Sequence, residues 1–276
     1  MTLLSGEASG GTILRHVLQP SDLPARPVDV WLPPGYGSGS VRYPVIYMHD
    51  GQNLFDPEGP FGSWVVDGAM TRLMREQGLP GAIVVGVWNS PGRLVEYMPA
   101  RPLRSPAAAA LREGFVTQVG TEPASDAYVR FLANELKPLI DVTYRTWPER
   151  EHTFLMGSSM GGLISLYTLT ERPELFGGAA CLSTHWTIGG ELLVDALGAA
   201  LPPPGQHRLY FDYGTEGLDG AYEPFQLRMN GHLRAAGYRE GYDYHALRFD
   251  GADHNEAAWR ARLHLPLRFL LAGTIG

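Results

Sequence analysis

The chain has 276 residues, 44% of them hydrophobic, and a formal net charge of -7, which is enough apolar mass for one large α/β domain. Its acidic balance and scattered arginines exclude a surface for phosphate backbones, so no nucleic-acid partner is expected. The lone cysteine, Cys181, excludes an internal disulfide and a cysteine-based zinc site.

Residues 1–11 carry neither a basic n-region nor a long apolar run. No signal peptide is expected from them, giving a cytoplasmic address by default, with a secreted or periplasmic one left open. Nowhere do about 18 apolar residues run together, so no membrane-spanning helix is expected. Residues 1–25 read as a lead-in with a first strand at 12–19, followed by a second at 27–32 and a turn-rich surface loop at 33–40. From there the pattern changes. Residues 45–48 and 82–87 are continuous apolar runs rich in β-branched side chains, as strands buried on both faces of a parallel sheet require. A helix is expected between them at 64–77. Residues 89–112, rich in Pro, Arg and Ala, form the longest irregular stretch, a lid or a surface excursion. Residues 125–144 place Tyr128, Phe131, Leu132, Leu136, Leu139 and Ile140 on one helical stripe, with Ser125 available as the cap. Strands at 154–156, 179–182, 209–213 and 244–249 then alternate with helices at 162–171, 222–236 and 256–271, the last bent at Pro266. Such alternation predicts a single α/β domain over 1–276, a doubly wound and mostly parallel sheet with helices on both faces, binding its ligand at the C-terminal strand ends.

Gly157-Ser158-Ser159-Met160-Gly161 sits between the strand and helix expected there. A serine on such a tight turn is pushed above the sheet edge, the small flanking residues let the chain fold sharply, and the following helix aims its N-terminus at the site. Ser159 is therefore the candidate nucleophile, and the backbone NH of Met160 a candidate donor to an oxyanion. A nucleophilic serine needs a base and an orienting acid, which successive strand ends deliver in the order acid, then histidine. Among histidines after Ser159, His254 lies in Gly251-Ala252-Asp253-His254, between the last strand and the last helix, from where it can reach back over the sheet. His245 falls inside a strand, His264 and His232 on helices, and His207 before a strand; His185 follows a strand but precedes the acid candidates. Both Glu216 and Asp219 leave the strand 209–213 at the edge where the acid belongs. Asp219 is favoured as the shorter carboxylate placed farther along the loop, with Glu216 as the alternative. Asp212 lies within the strand, facing the core or capping a helix. A second oxyanion donor is expected from the loop after 45–48, where Gly51 permits a turn that aims the NH of Gln52 at Ser159. Trp88 and Trp186 follow strand ends, with Tyr97 and Trp64 in neighbouring segments, so an aromatic substrate-binding wall is expected around the serine. Arg93 could meet an acidic substrate group, although solvation is the ordinary fate of a single arginine.

Residues 43–53, Gly157-Ser158-Ser159-Met160-Gly161-Gly162 and Gly251-Ala252-Asp253-His254 together resemble the Putative esterase family, the esterase D or feruloyl esterase-like branch of the α/β-hydrolases. The resemblance runs from about Arg26 to the C-terminus. It implies the α/β-hydrolase fold and a serine carboxylic-ester hydrolase with no metal and no organic cofactor, working through an acyl-enzyme on a small acyl or aryl ester that could be carbohydrate-linked. Family members include feruloyl and acetylxylan esterases, S-formylglutathione hydrolases, siderophore esterases and mycolyltransferases. An acyltransferase on the same scaffold and a noncatalytic carbohydrate-binding protein are the alternatives. Ser159 and His254 carry over onto matching positions. Relatives often place an aspartate directly after a Gly-Thr pair, whereas Gly214-Thr215 is followed here by Glu216 and only later by Asp219.

Overall fold

The computed structural model describes residues 2–4, 11–56, 59 and 61–273; part of the lead-in expected at 1–25 lies outside them. Its elements follow in chain order. Strands β1 (Thr2–Leu4), β2 (Thr12–Leu18), β3 (Arg26–Leu32) and β4 (Val45–His49) precede helix α1 (Val66–Gln77) and β5 (Ile83–Val87). Helices α2 (Arg93–Tyr97), α3 (Ala100–Leu103), α4 (Ala109–Val119), α5 (Ser125–Arg130) and α6 (Lys137–Thr143) lead to β6 (Thr153–Ser158) and α7 (Met160–Glu171). Then come β7 (Gly178–Leu182), α8 (Gly190–Ala199), β8 (Arg208–Gly214), α9 (Glu223–Ala235), β9 (Tyr244–Phe249), α10 (Glu256–Arg262) and α11 (His264–Leu271).

The nine strands form one sheet in the order β1-β2-β3-β5-β4-β6-β7-β8-β9. β1, β2 and β3 pair antiparallel and join β5 the same way, while β5, β4, β6, β7, β8 and β9 run parallel. From β4 the chain moves outward to β5, then jumps across β4 to β6. The direction of winding therefore reverses at the β4/β6 boundary, the place beyond the strand ends where sheets of this kind bind ligands. Alternation along each strand feeds two cores. Val45, Tyr47, Leu155, Cys181, Leu209 and Phe211 face the layer that holds α5–α9. Ile46, Met48, Phe154, Met156, Leu182 and Tyr210 face α1, α10 and α11 through Met70, Leu73, Trp259, Leu263 and Leu267. The period of two thus places Asp212, next but one to Tyr210, on the α10 side.

Three expectations are corrected. Residues 89–112 are not an irregular excursion: they carry α2, α3 and the start of α4, and Glu96, Tyr97, Met98 and Leu103 are buried. The helix at 125–143 forms with its predicted stripe, widened by a π segment over Phe131–Leu136, but Ser125 does not cap it. The Ser125 hydroxyl instead accepts from the Ala100 backbone NH at 2.8 Å and ties the helix to α3. The last helix does not bend at Pro266; it is two helices meeting at Leu263, with Pro266 in the first turn of α11, where a missing NH costs no intrahelical bond.

The 89–98 segment is anchored by Arg26, whose guanidinium meets Glu96 in a bidentate pair at 2.7 and 2.9 Å, with side chains 1% and 4% exposed. The Ser90 hydroxyl also donates to Glu96 at 2.6 Å. Breaking such a pair from one side strands a buried charge, at a cost of about 3–5 kcal/mol. Glu96→Ala is accordingly expected to lower unfolding free energy by that amount in urea titrations; a loss below about 1 kcal/mol would contradict the role given to this pair.

Candidate active site

β6 ends at Ser158 and α7 begins at Met160, so the whole reversal falls on Ser159, with φ 57° and ψ -124°. A non-glycine residue there carries strain of about 1–3 kcal/mol and persists only where its surroundings hold it. Three hydrogen bonds do so. The Ser159 NH donates to Leu182 O at 2.9 Å, and Ser159 O accepts from the NH groups of His185 (3.2 Å) and Leu163 (3.1 Å). The turn is also sterically closed: a Cβ on Gly157 would lie 2.6 Å from the Gly161 carbonyl carbon. The Met160 NH occupies the first position of α7, where helix geometry supplies no acceptor.

Across the β4/β6 boundary, Gly51–Asn53 forms a single 3-10 turn after Asp50, itself in the left-handed region at φ 57°. Gly51 is required there because a Cβ would approach the Gly86 backbone to 2.5 Å. The turn starts with the NH groups of Gly51 and Gln52, while Asn53 NH bonds Asp50 O at 2.9 Å. Side chains from the next strand end fix it. Arg93 grips both Asp50 oxygens at 2.7 Å, and the Asn89 amide donates to Asp50 Oδ1 at 2.6 Å. The Asn89 backbone NH reaches Gln52 Oε1 at 3.3 Å. A Cβ on Gly161 would sit 3.3 Å from Asp50 Oδ2, so the same carboxylate touches the first turn of α7.

His254 follows β9 on a loop sealed against the loop after β8: the NH groups of Thr215 and Glu216 both donate to Ala252 O at 3.0 Å. His254 Nδ1 lies 2.5 Å from Asp219 Oδ1, and their side chains are 12% and 0% exposed. Asp219 Oδ2 accepts from the Ser183 hydroxyl and the Gly214 NH, each at 2.6 Å. Burial alone pushes the Asp219 acid upward, but hydrogen bonds from His254, Ser183 and Gly214 outweigh it and hold the acid below its ordinary value. Glu216 is exposed, and its carboxylate accepts from the neighbouring Thr215 hydroxyl at 3.5 Å. Trp259 and Tyr222 wall the imidazole, with ring centroids at 5.0 and 5.8 Å.

Behind Asp219 lies a second buried layer. Ser183, at φ 42°, accepts from Trp259 Nε1 and Arg262 Nη2, both at 2.9 Å. Arg262 Nη2 also donates to Asp212 Oδ1 at 2.9 Å, and Tyr210 OH to Asp212 Oδ2 at 3.0 Å. The in-strand Asp212 thus belongs to the support of the site.

The expected aromatic wall is corrected. Trp186 and Tyr97 are 1% and 0% exposed and belong to the core, Trp186 donating to Gln226 at 3.1 Å. Trp64 is buried and packs on Trp259. Trp88 is half-buried, donating to Asp29 at 2.8 Å beneath the Arg15 guanidinium. Arg93 is spent on Asp50. His185 bonds Tyr222 OH at 2.6 Å through Nδ1. Asp50, Arg93, Ser183 and Arg262 were not singled out together from sequence; the one available signal was the nearness of Asp50 to Gly51. Among the described residues, no group of three or more His, Cys, Asp or Glu is placed to hold a metal ion. No helix among them is long and apolar enough to cross a membrane.

A mostly parallel sheet with helices on both faces and a winding reversal between β4 and β6 defines the α/β-hydrolase fold. The family described as Putative esterase matches residues 24–270, and the chain belongs to it. It is 26% identical over 188 residues to "Uncharacterized protein YbbA" of Bacillus subtilis (strain 168), covering 68% of this chain and 67% of YbbA. It is also 29% identical to the ferri-bacillibactin esterase BesA of that organism, over 52% of this chain and 49% of BesA, so the match spans about half of that relative. An IroE-like serine hydrolase from Shewanella oneidensis superposes with a TM-score of 0.73 at 20% identity, over 95% of this chain and 80% of that one. A ferulic acid esterase superposes with a TM-score of 0.66 at 18% identity, over 95% and 98%. At such identities the likeness concerns the fold.

At the end of β4, His49 is fully buried between Tyr97 and Tyr128, with Nδ1 2.8 Å from Tyr128 OH and Nε2 unpartnered among the described residues. Burial pushes its imidazole down to about 4. Between pH 6.5 and 4 the unfolded chain therefore binds a proton that the folded chain refuses, and stability falls as pH drops through that window, by up to about 3 kcal/mol from this group. His49→Gln, able to keep a bond to Tyr128, is expected to flatten the pH dependence of urea unfolding over that range; an unchanged slope would contradict it.

Proposed function

We propose that the protein is a serine carboxylic-ester hydrolase in which Ser159 is the nucleophile, His254 the general base and Asp219 the orienting acid. The observation that carries the reading is the 2.5 Å contact between His254 Nδ1 and Asp219 Oδ1 on the sheet edge that presents strained Ser159. With Nδ1 committed to Asp219, Nε2 is the nitrogen left to take the Ser159 proton. The hydroxyl oxygen attacks the ester carbonyl, and the oxyanion is received by the NH groups of Met160 and Gln52. His254 then returns the proton to the departing alkoxide. Water, deprotonated by the same nitrogen, hydrolyses the acyl-enzyme and restores Ser159. Asp219 stays ionised, with donors from Ser183, Gly214 and His254 on its two oxygens.

The substrate class we infer is a small acyl or aryl ester. Support comes from the relatives' own names, a ferulic acid esterase and a ferri-bacillibactin esterase. Trp186 and Tyr97 lie in the core and supply no aromatic wall for the substrate.

The test is a hydrolysis panel of acetyl, butyryl, feruloyl and formyl-thiol esters run beside three variants. Ser159→Ala is expected to lower kcat on the best ester by about a million-fold. Asp219→Asn is expected to cost about ten-thousand-fold, whereas Glu216→Gln stays within about twofold. Residual activity of a tenth in Ser159→Ala would remove the nucleophile assignment, and equal losses in the two acid variants would remove the choice of Asp219.

A further inference from the structure

Two carboxylates and one arginine are enclosed together behind the site. Asp212 and Asp219 are each 0% exposed at the side chain, and Arg262 is 4% exposed. One cation cannot neutralise both anions at contact distance, and the geometry shows how it is shared. Arg262 Nη2 bonds Asp212 Oδ1 at 2.9 Å but stands 3.9 Å from Asp219 Oδ2. Asp212 meets only donors, namely Arg262, Tyr210 OH at 3.0 Å and the Ser183 NH at 3.4 Å, the surroundings of an ionised acceptor. The Ser183 hydroxyl fills the gap. It accepts from Arg262 and Trp259 and turns its single proton toward Asp219.

We propose that Asp212 is a positioning residue that holds Arg262 away from Asp219, so that the charge of Asp219 remains available to the His254 imidazolium. The inference rests on the assignment of His254 as base and Asp219 as acid. Its consequence is a sign. Without Asp212, the only carboxylate left within 4 Å of Arg262 among the described residues is Asp219. The guanidinium pairs with it, the imidazolium loses its counter-charge, and His254 binds its proton less tightly. The other groups facing His254 keep their places: His185 at 6.5 Å between ring centroids and bonded to Tyr222, and Asp253, which accepts the His254 backbone NH at 2.7 Å. Glu256 stands at the start of α10, held by the Asn53 amide at 3.1 Å, while Arg93 stays on Asp50.

The experiment is the pH profile of kcat/KM, whose acid limb reports the free enzyme's base, for wild type, Asp212→Asn, and Asp212→Asn combined with Arg262→Met. In Asp212→Asn the acid limb is expected to move to lower pH by about one unit, and kcat/KM on the plateau to fall at least tenfold. Removing the cation as well is expected to return the limb to its wild-type position and recover part of the plateau. Asp212 as a purely structural residue predicts the reverse, a double variant worse than the single and no movement of the limb, and that result overturns the proposal. Thermal melts identify any variant that fails to fold. If the double variant is lost, the limb of Asp212→Asn decides alone, downward movement supporting the proposal and a fixed or raised limb refuting it. A wild-type profile without an acid limb, or full activity in His254→Ala, removes the base assignment itself and the inference with it.

Discussion

The turn at Ser159 takes the chain from a buried strand into a buried helix within one residue, and the neighbouring elements are arranged around its steric demands. The Gly161 backbone passes so close to Gly157 that it leaves no room there for a side chain. The strained serine is bonded on both sides of its peptide plane to the end of β7, through Leu182 O and the His185 NH. That dependence extends outward. β7 must end where it does for these bonds to form, and Ser183, the next residue, must leave β7 at positive φ to bring its hydroxyl beneath Asp219. The strain at Ser159 and the placement of Asp219 are thus consequences of the same strand end.

Electrostatics divides the neighbourhood into two ion pairs with different duties. On the β4–β5 side, Arg93 and Asp50 hold the turn after β4 in a partly open position, with side chains 31% and 11% exposed. On the β8–β9 side, Arg262 and Asp212 are enclosed, and only the Ser183 hydroxyl stands between that pair and Asp219. An enclosed pair is no bargain in stability when compared with apolar packing of the same volume. Its retention behind the acid fits a role in controlling where charge is available. The Arg26–Glu96 pair, also buried, draws the 89–98 segment into the core and so brings Arg93 to Asp50.

Much of this was legible in the sequence, and what was missed has physical causes. The parallel strands announced themselves as continuous apolar runs, and the neighbourhood of Ser159, His254 and Gly51 as short local patterns in the right chain order. Residues 89–112 misled because their helices are four or five residues long and interrupted by Pro91, Pro99 and Pro102, so no periodicity accumulates. Trp186 and Tyr97 misled because position at a strand end says nothing about which way a ring turns. The choice between Asp219 and Glu216 turns on backbone bonding: the Glu216 NH is spent on Ala252 O, its side chain is carried into solvent, and the 3-10 turn beyond it swings Asp219 inward. Arg262 was invisible beside Asp212 because 50 residues separate them, and only the alternation of β8 and the packing of α10 bring them together.

The central claim, that Ser159 with the NH groups of Met160 and Gln52 forms one acyl-transfer centre, is tested most directly by a crystal structure of the protein after reaction with a fluorophosphonate. A phosphorus atom bonded to Ser159 Oγ is expected, with one phosphonyl oxygen within about 2.7–3.1 Å of both NH groups. An adduct on another residue, or a phosphonyl oxygen facing solvent with both NH groups unengaged, would contradict it.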